Sequence, residues 1–418
     1  MKKTKREPSP VQELQVPEGQ LHRRIWLTVL AILIAVGAFA FGISQLVKAI
    51  RGEDETWVTI SAERYGGDLL FQYDVSAGTE GAVAAKKRVT AAYSALCAEA
   101  EALFGFDSET VSTKGLQWLS RHPNETVSVD AALFDALKLL EGAGDRTVYL
   151  APLRADYDNL FLAQTEDEAA QYDPLTDPDA VAFRKDAMRH CSDAGMIALR
   201  LNSDGTVYLS VSDAYLAWAK ENGVEQFLDL LWLKNAFVVD YIAAGLTAQG
   251  LTYGAISSYD GFTRNLDGTR TETYGQNLTD RADGTTYTAV QMQYTGSLTV
   301  VTMRSYPLYA TDRFTCRLMA DGSARTLYLD SADGICRMSV GTLLAAAKGK
   351  TCAEVALAVA PFYIADTPDD AALTACAGEE IDCLYVADRT VFYTSQHCLT
   401  PVQVYDNGDI RYSLKQLT

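Results

Sequence analysis

The stretch that most constrains the fold is residues 227–261, FLDLLWLKNAFVVDYIAAGLTAQGLTYGAISSYDG. It predicts a short apolar strand, a helix, a turn at Gly250 and a second strand, because Gly250 stands where a helix C-terminus favours a residue with positive φ. Four apolar residues of the helix recur at spacings of three and four: Leu233, Phe237, Tyr241 and Ala244. Because this spacing places them on one helix face, we expect that face to be buried.

Two carboxylates of the same stretch are candidate functional groups. Asp229 and Asp240 are eleven residues apart, about three turns if the segment is helical throughout, so they can share a face. The structural alternative is that one carries a helix-start charge and the other is a solvated surface group. The residue pattern is compatible with both interpretations.

Composition limits the classes of function. The 418 residues carry a net charge of −18 and are 48% hydrophobic, which is typical of a globular protein with a substantial core. Basic residues are concentrated in the first 51 positions, so the remainder is more acidic than the chain as a whole. A body of this charge repels phosphate backbones, so we predict no nucleic-acid binding.

Cysteine and histidine spacing argues against common metal sites. No two of the eight cysteines form a C-x-x-C pair, which disfavours zinc ribbons and thioredoxin-like chemistry. Their even number permits disulfides, but small buried thiols are the favoured state. The four histidines show no metal-binding spacing, so a histidine-rich metal site is not expected.

The N-terminal region predicts a membrane anchor. Residues 25–43 form an uncharged run of nineteen residues, and we predict a transmembrane helix over 25–47. Basic residues precede it and acidic residues follow, so the positive-inside rule makes residues 1–24 a cytoplasmic tail and places the main domain outside the plasma membrane. A cleaved signal peptide is the alternative, because Ala38-Phe39-Ala40 has the small-x-small form.

Several local patterns predict further elements. Residues 57–75 indicate two strands joined at Gly66-Gly67, and residues 83–104 form a helix with one apolar stripe. Ser128 is a plausible N-cap for a helix over 130–140. The acidic segment 164–195 indicates a solvated face or flexible connection, with calcium binding as an alternative.

The central stretch resembles the D-L-G-x-I-A-K-G-x-x-x-D segment of the ApbE-like FAD:protein FMN transferases. Asp229 matches the first aspartate of that segment and Asp240 its closing one. Three family positions are replaced, namely the first glycine, the lysine and the glycine after it: Leu231, Asn235 and Ala236. Lys234 lies one place before the family lysine, and the paired glycines that end the second strand fall near Tyr259 and Asp260.

Three other segments extend the resemblance. LYLDSADG at 327–334 resembles the family's H-x-x-D-P-x-T-G, with Asp330 and Gly334 retained. Thr302 keeps the threonine of a T-S-G turn. AEVALAVA resembles a magnesium-binding helix, with Glu354 in place of its aspartate and Ala358 in place of its threonine. By resemblance, Asp330, Gly334 and Thr302 are candidate cofactor-binding residues and Glu354 a candidate metal ligand.

The replacements remove much of the family's chemistry. Leu327 stands where the family has histidine and can neither donate nor accept a proton. Asp333 replaces the threonine and adds negative charge where a diphosphate would need neutralising. Glu354 retains oxygen ligands but has a longer side chain, which weakens a site that requires octahedral geometry.

The resemblance implies an α+β fold, a mixed sheet with packed helices behind one transmembrane helix. The implied domain covers residues 52–377, followed by a C-terminal β extension at 378–418. It implies a degenerate relative of the transferases that acts as a binding or scaffolding module on an exported flavoprotein or envelope protein. One alternative is an active enzyme that uses FAD and Mg²⁺ to flavinylate an exported protein; another is an envelope adhesion or assembly module.

Overall fold

The computed structural model describes residues 56–417, except 63–64, 107–110, 270, 310–311, 313, 395 and 407. The predicted tail 1–24 and transmembrane helix 25–47 lie outside the described residues. Among the described helices, none is both long and apolar enough to cross a membrane.

Seventeen described strands form four sheets. In chain order they are β1 Trp57–Ile60, β2 Leu69–Asp74, β3 Thr126–Ser128, β4 Ile197–Leu201, β5 Thr206–Val211, β6 Gly254–Ser258, β7 Phe262–Asn265, β8 Thr273–Ala282, β9 Thr285–Thr295, β10 Leu298–Arg304, β11 Cys316–Leu318, β12 Ala324–Thr326, β13 Thr342–Ala347, β14 Asp382–Ala387, β15 Thr390–Tyr393, β16 Thr400–Val404 and β17 Ser413–Gln416.

The described helices are distributed between these strands. They are α1 Ala82–Phe104, α2 Leu116–Arg121, α3 Ala131–Ala143, α4 Arg154–Leu162, α5 Glu166–Gln171, α6 Pro178–Cys191, α7 Asp213–Glu221, α8 Lys234–Ala248, α9 Cys352–Tyr363 and α10 Asp370–Gly378. Three short 3₁₀ turns cover Thr147–Tyr149, Ala151–Leu153 and Leu231–Leu233.

The main sheet has nine strands in the order β1-β2-β6-β7-β10-β13-β14-β15-β17. All its pairs are antiparallel except β15 with β17, so the sheet is mixed as predicted. Smaller sheets have the orders β16-β9-β8, β3-β5-β4 and β11-β12. β14 lies inside the main sheet, so the segment predicted as a C-terminal β extension continues that sheet.

The main sheet separates two hydrophobic cores. Side chains of a strand alternate between its two faces. On β10 and β13, Val301 and Leu343 belong to the larger core under the helices, whereas Val300 and Leu344 face the core shared with β8, β9 and β16. The fold is therefore three-layered, with helices on one face of the main sheet and a small sheet on the other.

Helix α8, the predicted central helix, packs closely along α1. The predicted stripe of α1 is buried, as expected from its spacing. The rings of Phe104 and Phe237 stack with centroids 6.1 Å apart. A Cβ on Gly245 would lie 2.4 Å from Leu96 Cδ2, so glycine is what allows this close approach.

Three sequence predictions need correction, and the one on the cysteines agrees with the structure. Residues 227–230 form a buried segment outside any strand, followed by a 3₁₀ turn, so Asp229 and Asp240 do not lie on one continuous helix. Asp130, not Ser128, caps α3, and its carboxylate accepts from the Ala132 amide at 2.9 Å. The segment 164–195 forms helices α5 and α6 rather than a flexible connection. The eight cysteines are free thiols, seven of them buried, as favoured from the sequence.

Candidate functional site

Three of the four segments that carry the resemblance converge on one cavity of about 390 Å³, and the helix with Glu354 contributes no residue to its wall. Its wall includes residues from the 3₁₀ turn and start of α8, the β6–β7 turn, the end of β10 and the segment that starts at Leu327. Small-ligand sites commonly have volumes of roughly 300–1,000 Å³, so the cavity can accept a compact aromatic ligand. The site residues predicted from the resemblance do not line this cavity, and their contacts are with other parts of the protein.

Asp229 builds the backbone turn beneath the cavity. Its Oδ1 accepts from the Leu231 amide at 2.8 Å, and its Oδ2 is 3.2 Å from an Arg154 nitrogen. Leu231 has φ of +48°, a left-handed conformation that is unfavourable for a branched side chain. This is the position where the resembling family has glycine. The chain therefore keeps a glycine-like backbone conformation and adds a buried leucine to it.

Asp240 joins α8 to the start of α9. Its carboxylate accepts from the amides of Cys352 at 2.8 Å and Ala353 at 3.0 Å, and it pairs with Arg264 at 2.8 Å. Burial raises the pKa of Asp240, and Arg264 and the two amides oppose that rise. All of these partners belong to the protein, so Asp240 is a helix-capping group.

Glu354, the predicted metal ligand, caps its own helix. Its Oε2 accepts from the Thr351 amide at 2.7 Å and the Thr351 hydroxyl at 3.0 Å, and its amide donates back to that hydroxyl, which completes a capping box. Within the described ranges, no group of three or more His, Cys, Asp or Glu side chains is arranged to hold a metal ion. The Oε2 atom of Glu354 is therefore used by the cap of its own helix.

Asp330 and Gly334 close a turn on the Leu327 segment. The Gly334 amide donates to the Asp330 carbonyl at 2.8 Å, with Gly334 at φ +70°. Arg337 lies 3.1 Å from the Asp330 carboxylate and 2.7 Å from that of Asp333, and it lowers the pKa of Asp333 by hydrogen bonding. Arg337 thus compensates the charge of Asp333 inside the turn.

Thr302 holds the β6–β7 turn against β10. Its amide donates to the Gly261 carbonyl at 2.8 Å. A Cβ on Gly261 would lie 2.0 Å from the Thr302 carbonyl oxygen, so this crossing requires glycine. Of the described residues that line the cavity, none is among the six predicted site residues: Asp229, Asp240, Thr302, Asp330, Gly334 and Glu354.

The cavity is lined instead by neighbours of those residues. Trp232, Asn235, Asp260, Arg304 and Tyr328 all contribute to its wall. Asn235 stands at the family's lysine position, and Asp260 stands near its paired glycines. Residues that differ from the family motif therefore line the cavity, whereas the residues that match it do not. Arg304 stands at the glycine of the family's T-S-G turn, so it is another departure that lines the cavity.

Polar atoms at this wall lack partners among the described residues. They are Trp232 Nε1, Asn235 Oδ1, Asp260 Oδ1 and Arg304 Nε. Asn235 Nδ2 donates to Asp260 Oδ2 at 3.0 Å. Burial raises the pKa of Asp260 to about 6. Buried polar groups usually have hydrogen-bond partners, so this set points to a ligand with its own donors and acceptors.

Aromatic rings complete the wall. Trp232 and Tyr328 lie with ring centroids 5.6 Å apart, and Tyr259 contacts Tyr309 at 5.2 Å. Leu327, at the family's histidine position, also lines the cavity and is 3% exposed. The wall therefore offers aromatic surface but no imidazole for proton transfer at that position.

The fold is the ApbE-like α+β fold. The structure is similar to the flavin transferase ApbE from Vibrio cholerae, with a TM-score of 0.53 and 15% identity over 83% of this chain and 96% of that one. It is also similar to the ApbE protein from Thermotoga maritima, with a TM-score of 0.54 and 13% identity over 79% and 94% of the two chains. No protein-family model matches the sequence, and no curated protein matches it. The fold predicted from the motifs is confirmed.

Proposed function

We propose that this chain is a membrane-anchored, extracytoplasmic ApbE-like protein that binds a flavin-type heterocycle and does not transfer it. The observation that carries this proposal is that the cavity is present while the residues matched to the family's catalytic and metal positions are engaged elsewhere or replaced. The cavity is retained, but Asp240 and Glu354 are both engaged by the start of α9 and Leu327 replaces the proton-transferring histidine. A ligand can bind in such a site without reacting.

The aromatic and polar wall supports a heterocyclic ligand. Trp232 and Tyr328 supply ring surfaces, and Asn235 and Asp260 supply hydrogen-bond acceptors for ring N–H groups. When bound, a flavin would bring the redox chemistry of its own ring, and the residues of this chain would bind and orient it. Transfer is not part of the proposal, because Glu354 caps its own helix and Leu327 stands at the position of the family's histidine.

The test is ligand binding and product formation with the purified full chain. Titration with flavins, followed by quenching of flavin fluorescence, is expected to saturate. Incubation with FAD, Mg²⁺ and a threonine-containing acceptor protein is expected to release no AMP above a boiled control. Enzymatic AMP release would overturn the binding-only proposal and favour the active transferase. Failure of every flavin to bind would overturn it in favour of the adhesion or assembly module.

The predicted anchor at residues 25–47 supports a place for the module at the plasma membrane, facing outward towards an exported flavoprotein or envelope protein. Protease added to intact cells is expected to digest the main domain and leave residues 1–24 protected. Protection of the main domain would reverse the proposed topology.

A further inference from the structure

The cationic side chains at the cavity are already compensated by carboxylates. Arg154 lies 2.7 Å from Asp158 and 3.2 Å from Asp229. Arg304 lies 3.3 Å from Asp312. Because each guanidinium has a protein carboxylate beside it, neither offers an uncompensated charge for a phosphate.

Lys234, the third cation of the wall, also has carboxylates around it. Its Nζ lies 3.5 Å from Glu101 Oε2. Burial opposes its charge, but the attraction of Asp68, Glu101 and Asp260 is stronger and raises the pKa of Lys234. The ammonium therefore serves to balance acidic groups of the chain.

Carboxylates exceed cations around the cavity. The wall itself holds three acidic and three basic groups, namely Asp68, Asp260 and Asp312 against Arg154, Lys234 and Arg304. Three carboxylates outside the wall pair with its cations and make the surroundings acidic: Glu101, Asp158 and Asp229. In a partly buried site an excess of negative charge strongly disfavours an anionic ligand. The site is therefore electrostatically unsuited to phosphate esters and diphosphates.

The unpartnered atoms describe the complementary ligand. Trp232 Nε1 and Arg304 Nε are donors, and Asn235 Oδ1 and Asp260 Oδ1 are acceptors. A ring edge that alternates carbonyl oxygens with an N–H satisfies both kinds of group without bringing charge into the cavity. The carboxylate of Asp260 would receive the ring N–H in a charge-assisted hydrogen bond.

We propose that the cavity selects an uncharged aromatic heterocycle with a lactam or imide edge, and that it prefers a flavin without phosphate over phosphorylated flavins. Asp260 is the specificity-determining residue, because it both accepts the ring N–H and repels phosphate. This proposal rests on the proposed flavin-binding function and defines which flavins the site takes.

The test compares riboflavin, FMN and FAD on the full chain at low ionic strength. Riboflavin is expected to bind at least about tenfold more tightly than FMN or FAD, a difference of roughly 1.4 kcal/mol. Added salt is expected to reduce the ratio of riboflavin affinity to FMN affinity, since it screens the repulsion between the carboxylates and the phosphate. Tighter binding of FMN or FAD than of riboflavin would overturn the preference and leave flavin binding intact, whereas no binding of any flavin would overturn both.

Two substitutions separate the roles of Asp260. Asp260→Ala removes the acceptor and is expected to weaken riboflavin binding about tenfold. Asp260→Asn keeps an acceptor oxygen but removes the charge, so the ratio of FMN to riboflavin affinity is expected to rise. Asp156→Asn is the control, because Asp156 is another half-buried carboxyl with a pKa raised to about 6 but lies outside the cavity wall. An unchanged ligand ratio in Asp260→Asn would contradict the assignment.

Discussion

The amide of Leu231 donates a 2.8 Å hydrogen bond to the carboxylate of Asp229 while Leu231 itself adopts φ of +48°. A leucine in the left-handed region costs about 1–2 kcal/mol. The surrounding contacts offset that cost, since the side chain is buried.

At Leu231 we expect the glycine variant to be more stable than the alanine variant, which is the reverse of the usual order of stability. Leu231→Ala loses the buried side chain at a cost of roughly 2–5 kcal/mol. Leu231→Gly loses the same contacts but relieves the backbone, so we expect it to be more stable than the alanine variant by about 1 kcal/mol. Urea unfolding of the two variants measures the difference.

Leu246 provides the matched control for that comparison. It is fully buried within helix α8, where glycine is about 1 kcal/mol less favourable than alanine. Leu246→Gly should therefore be less stable than Leu246→Ala. If alanine were the more stable replacement at both positions, the strain assigned to Leu231 would not exist.

Asp240 is expected to matter for stability and not for metal binding. Asp240→Ala removes the acceptor for two α9 amides and leaves Arg264 without its carboxylate, so we expect a loss of about 3–5 kcal/mol in the free energy of unfolding. Glu354→Ala removes only the exposed half of a capping box, at a cost of about 1 kcal/mol. Thermal unfolding measures both.

The effect of Mg²⁺ on thermal stability tests whether Glu354 is a helix-capping residue or a metal ligand. A ligand that binds only the folded state raises Tm as its concentration rises. Millimolar Mg²⁺ is therefore expected to leave the Tm of the wild-type chain unchanged. A rise in Tm that disappears in Glu354→Ala would show that the glutamate is a metal ligand after all.

Asp260 is expected to make stability depend on pH. Its folded pKa of about 6 lies above its ordinary value of 3.8 because burial disfavours the charged form. Folding therefore favours the protonated acid, and the free energy of unfolding falls as the pH rises from 3.8 through about 6. Asp260→Asn removes this penalty and should exceed the wild type by roughly 1–3 kcal/mol above that range.

The pH profile itself is the check. Denaturant unfolding at a series of pH values should show the Asp260→Asn advantage shrinking towards acid and constant at neutral pH. Asp156→Asn should show a similar profile, because burial also raises the pKa of Asp156 to about 6. An advantage of Asp260→Asn that grew towards acid would contradict the burial of the charge.

Gly334 is expected to be a structural glycine. A Cβ there would lie 2.6 Å from Leu153 Cδ1 and 2.9 Å from Met188 Sδ, in addition to the strain of φ +70°. Gly334→Ala should cost about 2–4 kcal/mol, whereas Gly349→Ala, with φ +74° and no atom within 4 Å of the new Cβ, should cost only about 1 kcal/mol. Equal losses would remove the packing argument.

The same pair of variants tests the predicted cofactor role of Gly334. Because Gly334 lies outside the cavity wall, Gly334→Ala is expected to leave riboflavin affinity unchanged wherever the protein is folded. A loss of affinity without a loss of stability would restore Gly334 as a binding residue.

The order of elements could be predicted from the sequence because periodicity and turns report local burial. The α1 stripe and the hairpin at Gly66-Gly67 both form where their patterns predicted. The resemblance supplied what local patterns cannot, which is the way distant segments come together. It located the cavity through the segments that meet there.

The site residues could not be predicted in the same way. A matched aspartate shows that a backbone turn or cap is retained, and Asp229 and Asp240 are retained for those purposes. Whether a side chain faces the cavity depends on packing that is set by residues far away in sequence. Asp260 contacts Asn235, 25 positions earlier, and no pattern within either segment indicates that pairing.

Strand β13 of the main sheet contributes side chains to both hydrophobic cores. All six residues of β13, TLLAAA, are buried, so alternation of polar and apolar residues cannot indicate which face belongs to which core. Thr342 is the one polar side chain in this strand, and its hydroxyl lies 2.7 Å from that of Tyr306. A one-residue slip would exchange the side chains of the two faces and carry Thr342 into the core under the helices. The Thr342–Tyr306 hydrogen bond would be lost in the slipped strand, so it favours the observed register.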